Sequence, residues 1–244
     1  MPPCDVQVAA AAFSRAHAAR EQGEKQVMEI AIVLFDGITA LDAIGPYEIL
    51  SRLPGAEVKF AGKQRGVVRT DNKSLGLSVD YTLEEIAAPE ILLVPGGFGT
   101  RSLMNDTRLL EWIRGVHRTT RWTTSVCTGA LLLAAAELLE GLEATTHWLE
   151  RETLARYGAR PVARRVVQQG KIVTAAGVSA GIDMALTLAA EIAGADVAQA
   201  LQLGIEYDPQ PPFAAGSPEK APAAIVAAAR SRAAARAAQF PLGV

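Results

Sequence analysis

The chain has 244 residues, half of them hydrophobic, and a formal charge of −2 at pH 7. This length favours one sizeable domain whose core needs no disulfides or metal to be stable. The near-neutral charge argues against nucleic acid or an anionic membrane as a partner. The chain has only two cysteines, no apolar run long enough to cross a bilayer and no secretory signal at its start, so we expect a cytoplasmic protein.

The first 27 residues differ in character from the rest of the chain. They are rich in alanine and then polar and charged, and strand-like sequence begins only at Met28, itself a candidate start of translation. We expect residues 1–27, which include Cys4, to be a loose or disordered extension. The catalytic domain is expected over residues 28–222, followed by an Ala/Arg-rich helix over residues 223–244.

From Met28 onwards, short apolar runs alternate with segments of helical periodicity. The predicted strands are EIAIVLF, AEVKFAG, EILLVPGG and RWTTSVC, followed by a hairpin, RRVVQQGKIVTAAG, that turns at Gln169-Gly170. The predicted helices are TALDAIGPYEILSRL, DTRLLEWIRGVHR, TGALLLAAAELL, HWLERETLARYG, SAGIDMALTLAAEIAG, ADVAQALQLGIEY and PAAIVAAARSRAAARAAQ. Apolar strands that alternate with helices indicate an α/β fold, with a mostly parallel sheet covered on both faces. Ligands of such folds bind beyond the carboxyl ends of the strands.

A thiol stands where a predicted strand meets a predicted helix, in TSVCTGALLLAAAELL. A turn at this junction would push Cys127 towards the crevice beyond the sheet, and the N-terminus of the helix would favour its thiolate. The following Thr128-Gly129 offers a hydroxyl and a bare backbone, which suit a small polar ligand. A lone cysteine is more often a small core residue, and that alternative stays open. Cys127 is the candidate nucleophile.

A glycine turn, VPGGFGT, follows another predicted strand at residues 94–100. It does not match the dinucleotide-binding pattern G-x-G-x-x-G, because Ser102 occupies the third glycine position. We expect the amides of Gly96 and Gly97 to form an anion cradle. The amides of Gly97 and Thr128 would then make an oxyanion pocket, and a plain glycine turn is the alternative.

Two acidic residues, Asp42 and Glu48, lie on the first predicted helix, in ALDAIGPYEIL. A carboxylate among apolar neighbours such as Leu41 and Ile44 is costly to bury unless it has a partner or a function. Burial would raise its pKa, so that it carries a proton near neutral pH. Asp42 is the preferred candidate acid, whereas Glu48 would equally suit a solvated helix face.

Two further residues have alternative interpretations. His147, in ATTHWLE, would activate Cys127 if the two side chains met, but it would equally cap the helix that follows. Ser179, in GVSAG, matches the G-x-S-x-G motif of serine hydrolases, in which the histidine follows the serine; here all three histidines precede it. We therefore expect Ser179 to be an N-cap. No cluster has the spacing of metal ligands, so no metal is expected.

Six stretches between Met28 and Pro222 resemble the ThiJ/PfpI superfamily of glutamine-amidotransferase-like proteins. They are LDAIGPYEIL, VPGGFGT, TSVCTGALLLAAAELL, ATTHW, GVSAGIDMALTLAAEIAG and EYDPQPPFAAGSPEKAP. The resemblance implies a flavodoxin-like three-layer sandwich of the class I glutamine amidotransferase type, with a cysteine nucleophile elbow. The resemblance is closest to the branch of this superfamily that hydrates isonitriles. In that branch Cys127 would be the nucleophile, Asp42 the catalytic acid and Thr128 an assisting hydroxyl, with Gly96-Gly97 as the superfamily's glycine turn.

The implied activity is that of a lyase that adds water to an isonitrile. It would yield an N-substituted formamide through a thioimidate on Cys127, with no cofactor, in a homodimer. The protease-like branch carries a histidine directly after its cysteine; Thr128 at that position argues against a peptidase. Two alternatives stay open: a thiol enzyme of the same superfamily that acts on reactive aldehydes, and a non-catalytic redox or ligand sensor.

Overall fold

A computed structural model describes residues 27–238. The extension predicted over residues 1–27, with Cys4, lies outside the described residues except for Val27, and so do residues 239–244. The strands are β1 (Met28–Val33), β2 (Ala56–Gly62), β3 (Gly66–Arg69), β4 (Gly76–Val79), β5 (Tyr81–Thr82), β6 (Ile91–Val94), β7 (Trp122–Val126), β8 (Glu143–Ala144), β9 (Arg160–Pro161), β10 (Val166–Gln169) and β11 (Ile172–Ala175). The α-helices are α1 (Ala40–Leu50), α2 (Thr100–Leu103), α3 (Thr107–Thr119), α4 (Gly129–Ala135), α5 (Arg151–Arg156), α6 (Ala180–Ala193), α7 (Ala195–Gly204) and α8 (Ala223–Ala237).

Seven strands form the central sheet, in the order β10-β11-β7-β6-β1-β2-β5. All neighbouring strands are parallel except β10 and β11, which form the predicted hairpin. The five strands β2-β1-β6-β7-β11 follow the flavodoxin-like order, in which the direction of winding reverses between β1 and β6. The predicted mostly parallel sheet and flavodoxin-like fold are therefore confirmed.

Helices cover both faces of this sheet. Helix α1 contacts α6, and α3 contacts α4. Because winding reverses at β1 and parallel crossovers are right-handed, α1 and α3 lie on opposite faces. The central strands read as continuous apolar runs, and every residue of β6 is buried, as expected for strands covered on both sides. Among residues 27–238, none of the helices combines the length and hydropathy needed to span a bilayer.

The structure departs from the predicted elements in several places. The segment 66–79 forms a small antiparallel hairpin, β3-β4, which the sequence analysis did not predict. The helix predicted over HWLERETLARYG is a 3₁₀ turn, Trp148–Glu150, followed by the short helix α5. Helix α4 ends at Ala135, because the chain turns at Glu137 with a φ of 62°. Its seven residues are fewer than TGALLLAAAELL suggested.

Candidate active site

The candidate catalytic residues follow three adjacent parallel strands. Cys127 comes directly after β7, the turn at Gly96 follows β6, and Asp42 lies near the start of α1, which follows β1. Parallel strands place their carboxyl ends at one edge of the sheet, and here the winding also reverses between β1 and β6. Crevices at such reversal points are where open α/β sheets bind their ligands.

Cys127 stands at a sharp elbow in the backbone. Its φ of 57° is left-handed, and its amide donates to the carbonyl oxygens of Ala175 and Ala176 at 3.1 and 2.8 Å. Its own carbonyl oxygen accepts the hydroxyl of Thr146 at 2.8 Å. A side chain at Gly129 would overlap the carbonyl oxygen of Val94, so the chain can begin α4 directly after the elbow only with glycine there.

The Asp42 carboxyl group is completely buried. Its Oδ2 accepts the amide of Gly96 at 2.9 Å, and its carboxyl group also interacts with the thiol of Cys127. Among the described residues, Oδ1 has no hydrogen-bond partner. Burial raises the pKa of Asp42 from 3.8 to about 7, in part against the hydrogen bond from Gly96. Near neutral pH this group can therefore both take up and release a proton.

The surroundings of Cys127 favour its protonated form. Burial and the negative charge of Asp42 raise its pKa well above the ordinary value, and the amides of Val178 and Thr128 act in the opposite direction. This direction is opposite to the sequence-based expectation of a resting thiolate, which stays a prediction. The physical reason for the raised pKa is that Cys127 is only 5% exposed, so its charged form is poorly solvated.

The glycine turn holds side chains in place instead of offering free amides. The Gly97 amide donates to Oγ1 of Thr128 at 2.8 Å, and this hydroxyl donates back to the Gly97 carbonyl oxygen. The Gly96 amide is bonded to Asp42. The predicted oxyanion role of the Gly96 and Gly97 amides is therefore not supported. A Cβ at Gly96 would lie 2.5 Å from the Thr128 nitrogen and 2.9 Å from Asp42 Oδ2.

A pocket of about 210 Å³ opens beside the thiol. Asp42 lies behind the thiol and is not part of its lining. The lining combines a polar group of residues with an apolar group. The polar group includes Cys127, Thr128 and His147, and the apolar group includes Phe98, Leu149 and Val178. Such a site suits a small molecule with one reactive polar end and an apolar body.

His147 lines this pocket and also caps the turn that follows it. Its Nδ1 accepts the amide of Leu149 at 3.4 Å. Burial lowers the pKa of the imidazole, so the ring is neutral at pH 7. His147 was predicted either to activate Cys127 or to cap the segment that follows, and this contact shows capping. The ring packs against Gly177, where a Cβ would lie 2.8 Å from Cδ2.

Glu48 takes the solvated alternative of its two predicted interpretations, whereas the expected capping role of Ser179 fails on geometry. Glu48 lies on α1 but away from the site; its carboxylate pairs with Arg52 at 2.6 Å, and 42% of its side chain is exposed. Ser179 precedes α6, but its hydroxyl makes no capping hydrogen bond. It accepts a hydrogen bond from Arg165 at 3.2 Å instead.

The pocket lining also includes charged residues that were not predicted from the sequence. Asp71, in the β3-β4 loop, accepts the hydroxyl of Thr39 at 2.9 Å, and Arg101 forms an ion pair with Glu150. Neither pair carries a local sequence signal, because the partners are far apart in the chain. Among residues 27–238, no three His, Cys, Asp or Glu side chains gather as metal ligands would.

Comparison with known proteins identifies relatives over most of the chain. A sequence profile of the DJ-1/PfpI family matches residues 28–191. The chain is 45% identical over 207 residues to isonitrile hydratase of Pseudomonas putida, an alignment that covers 85% of this chain and 90% of that protein. A crystal structure of a ThiJ/PfpI family protein from Pseudomonas syringae matches with a TM-score of 0.83 and 34% identity, over 91% of this chain and 93% of that one. Deglycase PfpI of Pyrococcus furiosus is 26% identical over 149 residues, 60% of this chain and 89% of that protein.

Proposed function

Because this chain belongs to the DJ-1/PfpI family, we propose that the pocket beside Cys127 is the active site of an isonitrile hydratase. The observation that carries this proposal is the 45% identity to the Pseudomonas putida enzyme across nearly all of that protein. The site geometry supports it independently, since a thiol and a carboxyl group that can exchange a proton lie together beside a small, partly apolar pocket.

In the first half-reaction, the thiol adds to the terminal carbon of the isonitrile, R–N≡C. The Asp42 carboxylate takes the proton from Sγ of Cys127 as the sulfur–carbon bond forms. Asp42 then returns this proton to the same carbon, which is now one bond from Sγ. The product is a neutral thioimidate, Cys127–S–CH=N–R, and Asp42 is again a carboxylate.

In the second half-reaction, water replaces the sulfur. The Asp42 carboxylate takes a proton from the water as its oxygen attacks the thioimidate carbon, and Asp42 then passes this proton to the nitrogen. The tetrahedral intermediate then collapses: the carbon–sulfur bond breaks, and the proton of its hydroxyl group passes through Asp42 to the departing sulfur. The sum is R–N≡C plus H₂O giving R–NH–CHO, which regenerates the thiol and the carboxylate.

The neighbouring groups position this pair. The Gly96 amide fixes one carboxyl oxygen of Asp42, and the two-way contact between Thr128 and Gly97 fixes the hydroxyl beside the thiol. The amides of Val178 and Thr128 interact with Sγ and stabilise negative charge on the sulfur while the proton is transferred. We assign Thr128 an assisting role in catalysis on this basis.

A turnover assay with cyclohexyl isocyanide tests the proposal. Wild type should form the formamide, whereas Cys127→Ala and Asp42→Asn should lose at least about a hundredfold in kcat/KM. Glu48→Gln is the matched control, because Glu48 lies on the same helix as Asp42 but outside the site, and it should keep normal turnover. Normal turnover by Cys127→Ala would overturn the proposal.

The same preparations separate the two alternatives. An aldehyde-directed thiol enzyme would consume methylglyoxal in preference to isonitriles. A sensor would turn over neither substrate and would form sulfinic acid at Cys127 under mild peroxide. From the family resemblance we also propose a homodimer, which light scattering at several protein concentrations would detect.

A further inference from the structure

The pocket has a wall that belongs to the C-terminal helix. Ala233, a half-buried residue in the second half of α8, lines the pocket together with Phe98, Leu149 and Val178. The proposed substrate, R–N≡C, has one reactive end and a substituent, R, that carries no further chemistry. When the reactive carbon meets Cys127, the substituent must lie against the apolar lining, of which Ala233 is a part.

Two arginines fix α8 against the pocket on either side of Ala233. Arg236 pairs with Asp71 at 3.3 Å, and its guanidinium lies 5.2 Å from the ring centre of Phe98. Arg230 lies 4.9 Å from the ring centre of Trp148. Residues three apart share one face of a helix, so Arg230, Ala233 and Arg236 all face the body of the protein. The helix is therefore held in place at the position that lines the pocket.

The composition of this helix does not fit a role in the core. None of its residues is fully buried. Its half-buried residues are small or basic, namely Val226, Ala229, Ala233, Arg236 and Ala237. A core helix would present large apolar side chains on that face. Its contacts are instead with pocket-lining residues, Asp71 and Phe98, and with Trp148, which is next to the lining residue His147.

We propose that Ala233 determines which isonitriles the enzyme accepts, by leaving room for a bulky apolar substituent. This inference rests on the proposed function. A side chain longer than a methyl group at this position would extend into a pocket of only about 210 Å³. Bulky substituents would then be excluded while small ones still fit.

The test combines graded variants with graded substrates. Ala233→Val and Ala233→Leu are compared with Ala234→Leu, which places the same side chain on the next, exposed residue of α8. The substrates are methyl, isopropyl and cyclohexyl isocyanide. We expect Ala233→Leu to lose about tenfold or more in kcat/KM for cyclohexyl isocyanide, because one methylene group in a pocket already changes specificity to that extent. Turnover of methyl isocyanide should stay within about twofold, Ala233→Val should fall between, and Ala234→Leu should match wild type.

A second readout keeps this inference separate from the proposed function. N-methylmaleimide and N-cyclohexylmaleimide alkylate thiols, and peptide masses report the rate at Cys127 whether or not isonitriles are turned over. If wild type hydrates no isonitrile but Ala233→Leu slows only the cyclohexyl reagent, the proposed function fails and the size limit stands. If Ala233→Leu changes neither the substrate preference nor the alkylation preference, the inference is overturned.

Discussion

The buried carboxyl group of Asp42 makes a prediction about stability as well as activity. Replacing Asp42 by Asn keeps a side-chain oxygen that can accept the Gly96 amide but removes the titrating group. We expect Asp42→Asn to lose turnover and, at pH 8, to be more stable than wild type. Activity and stability should therefore move in opposite directions, as they do where a catalytic group is held in an unfavourable environment.

The magnitude follows from the pKa of the buried group. A carboxyl group whose pKa rises from 3.8 to about 7 binds its proton more tightly in the folded state. The folded state is therefore penalised as pH rises above 3.8, and the penalty is complete above pH 7. Three pKa units correspond to about 4 kcal/mol, of which about 3 kcal/mol develops between pH 4.5 and pH 8. Below pH 3.8 the free energies of unfolding of wild type and Asp42→Asn should differ only through the local contacts of the substituted side chain.

Urea denaturation at several pH values measures this effect. The quantity of interest is the difference in free energy of unfolding between Asp42→Asn and wild type, which should shift by about 3 kcal/mol in favour of the variant from pH 4.5 to pH 8. Repeating the pair in a Cys127→Ala background removes the neighbouring thiol and should leave the sign unchanged. A difference that stays flat across this range would refute the buried, proton-binding state of Asp42.

Three further outcomes follow from the same contacts. The kcat/KM of wild type should rise with pH to a plateau and reach half its maximum near pH 7, because protonated Asp42 cannot accept the thiol proton. A pH–rate profile that is flat from pH 5 to pH 8 would contradict this. Gly96→Ala should lose at least about a hundredfold in turnover, since its Cβ would displace Thr128 and Asp42. Gly115→Ala, in an open position on α3, is the control: it should stay active, and its free energy of unfolding, measured by thermal or urea denaturation, should rise by about 0.5–1 kcal/mol. Thr128→Val should lose activity and about 1–3 kcal/mol of stability, because it leaves the buried Gly97 amide unpaired, and Thr128→Ser should restore both.

Local sequence patterns were sufficient for the fold and for the positions of the main candidates. Apolar runs of strand length, alternating with helical periodicity, indicated a parallel sheet, and the junctions then placed Cys127 and the glycine turn at its carboxyl edge. The apolar neighbours of Asp42 already favoured it over Glu48, but its burial had to be seen in the structure. Six residues of helix rotate a side chain by 600°, which leaves the two acids about 120° apart, and only the packing of α1 shows which one is buried.

The rest of the site depends on contacts that no local pattern contains. Asp71 enters from a hairpin that the sequence analysis missed, and its partner Arg236 lies 165 residues further along the chain. Ala233 reaches the pocket only because α8 docks there, and an alanine in an alanine-rich helix carries no signal of its own. The state of the thiol was also out of reach, because it depends on how much water the finished fold leaves around one sulfur.

That protonation state helps to decide between an enzyme and a sensor. Redox-sensing cysteines are accessible and have a low pKa, since the thiolate is the form that peroxide oxidises. The reverse holds here: burial and the negative charge of Asp42 raise the pKa of Cys127, and burial raises the pKa of Asp42 to about 7. A thiol next to a carboxylate that can take its proton becomes reactive when a substrate carbon is present to accept the sulfur, and stays inert otherwise. The Asp42 carboxylate is a weaker base than the Cys127 thiolate, so the proton leaves Sγ only as the sulfur–carbon bond forms. This favours an enzyme in which Asp42 acts as general base during addition to the substrate.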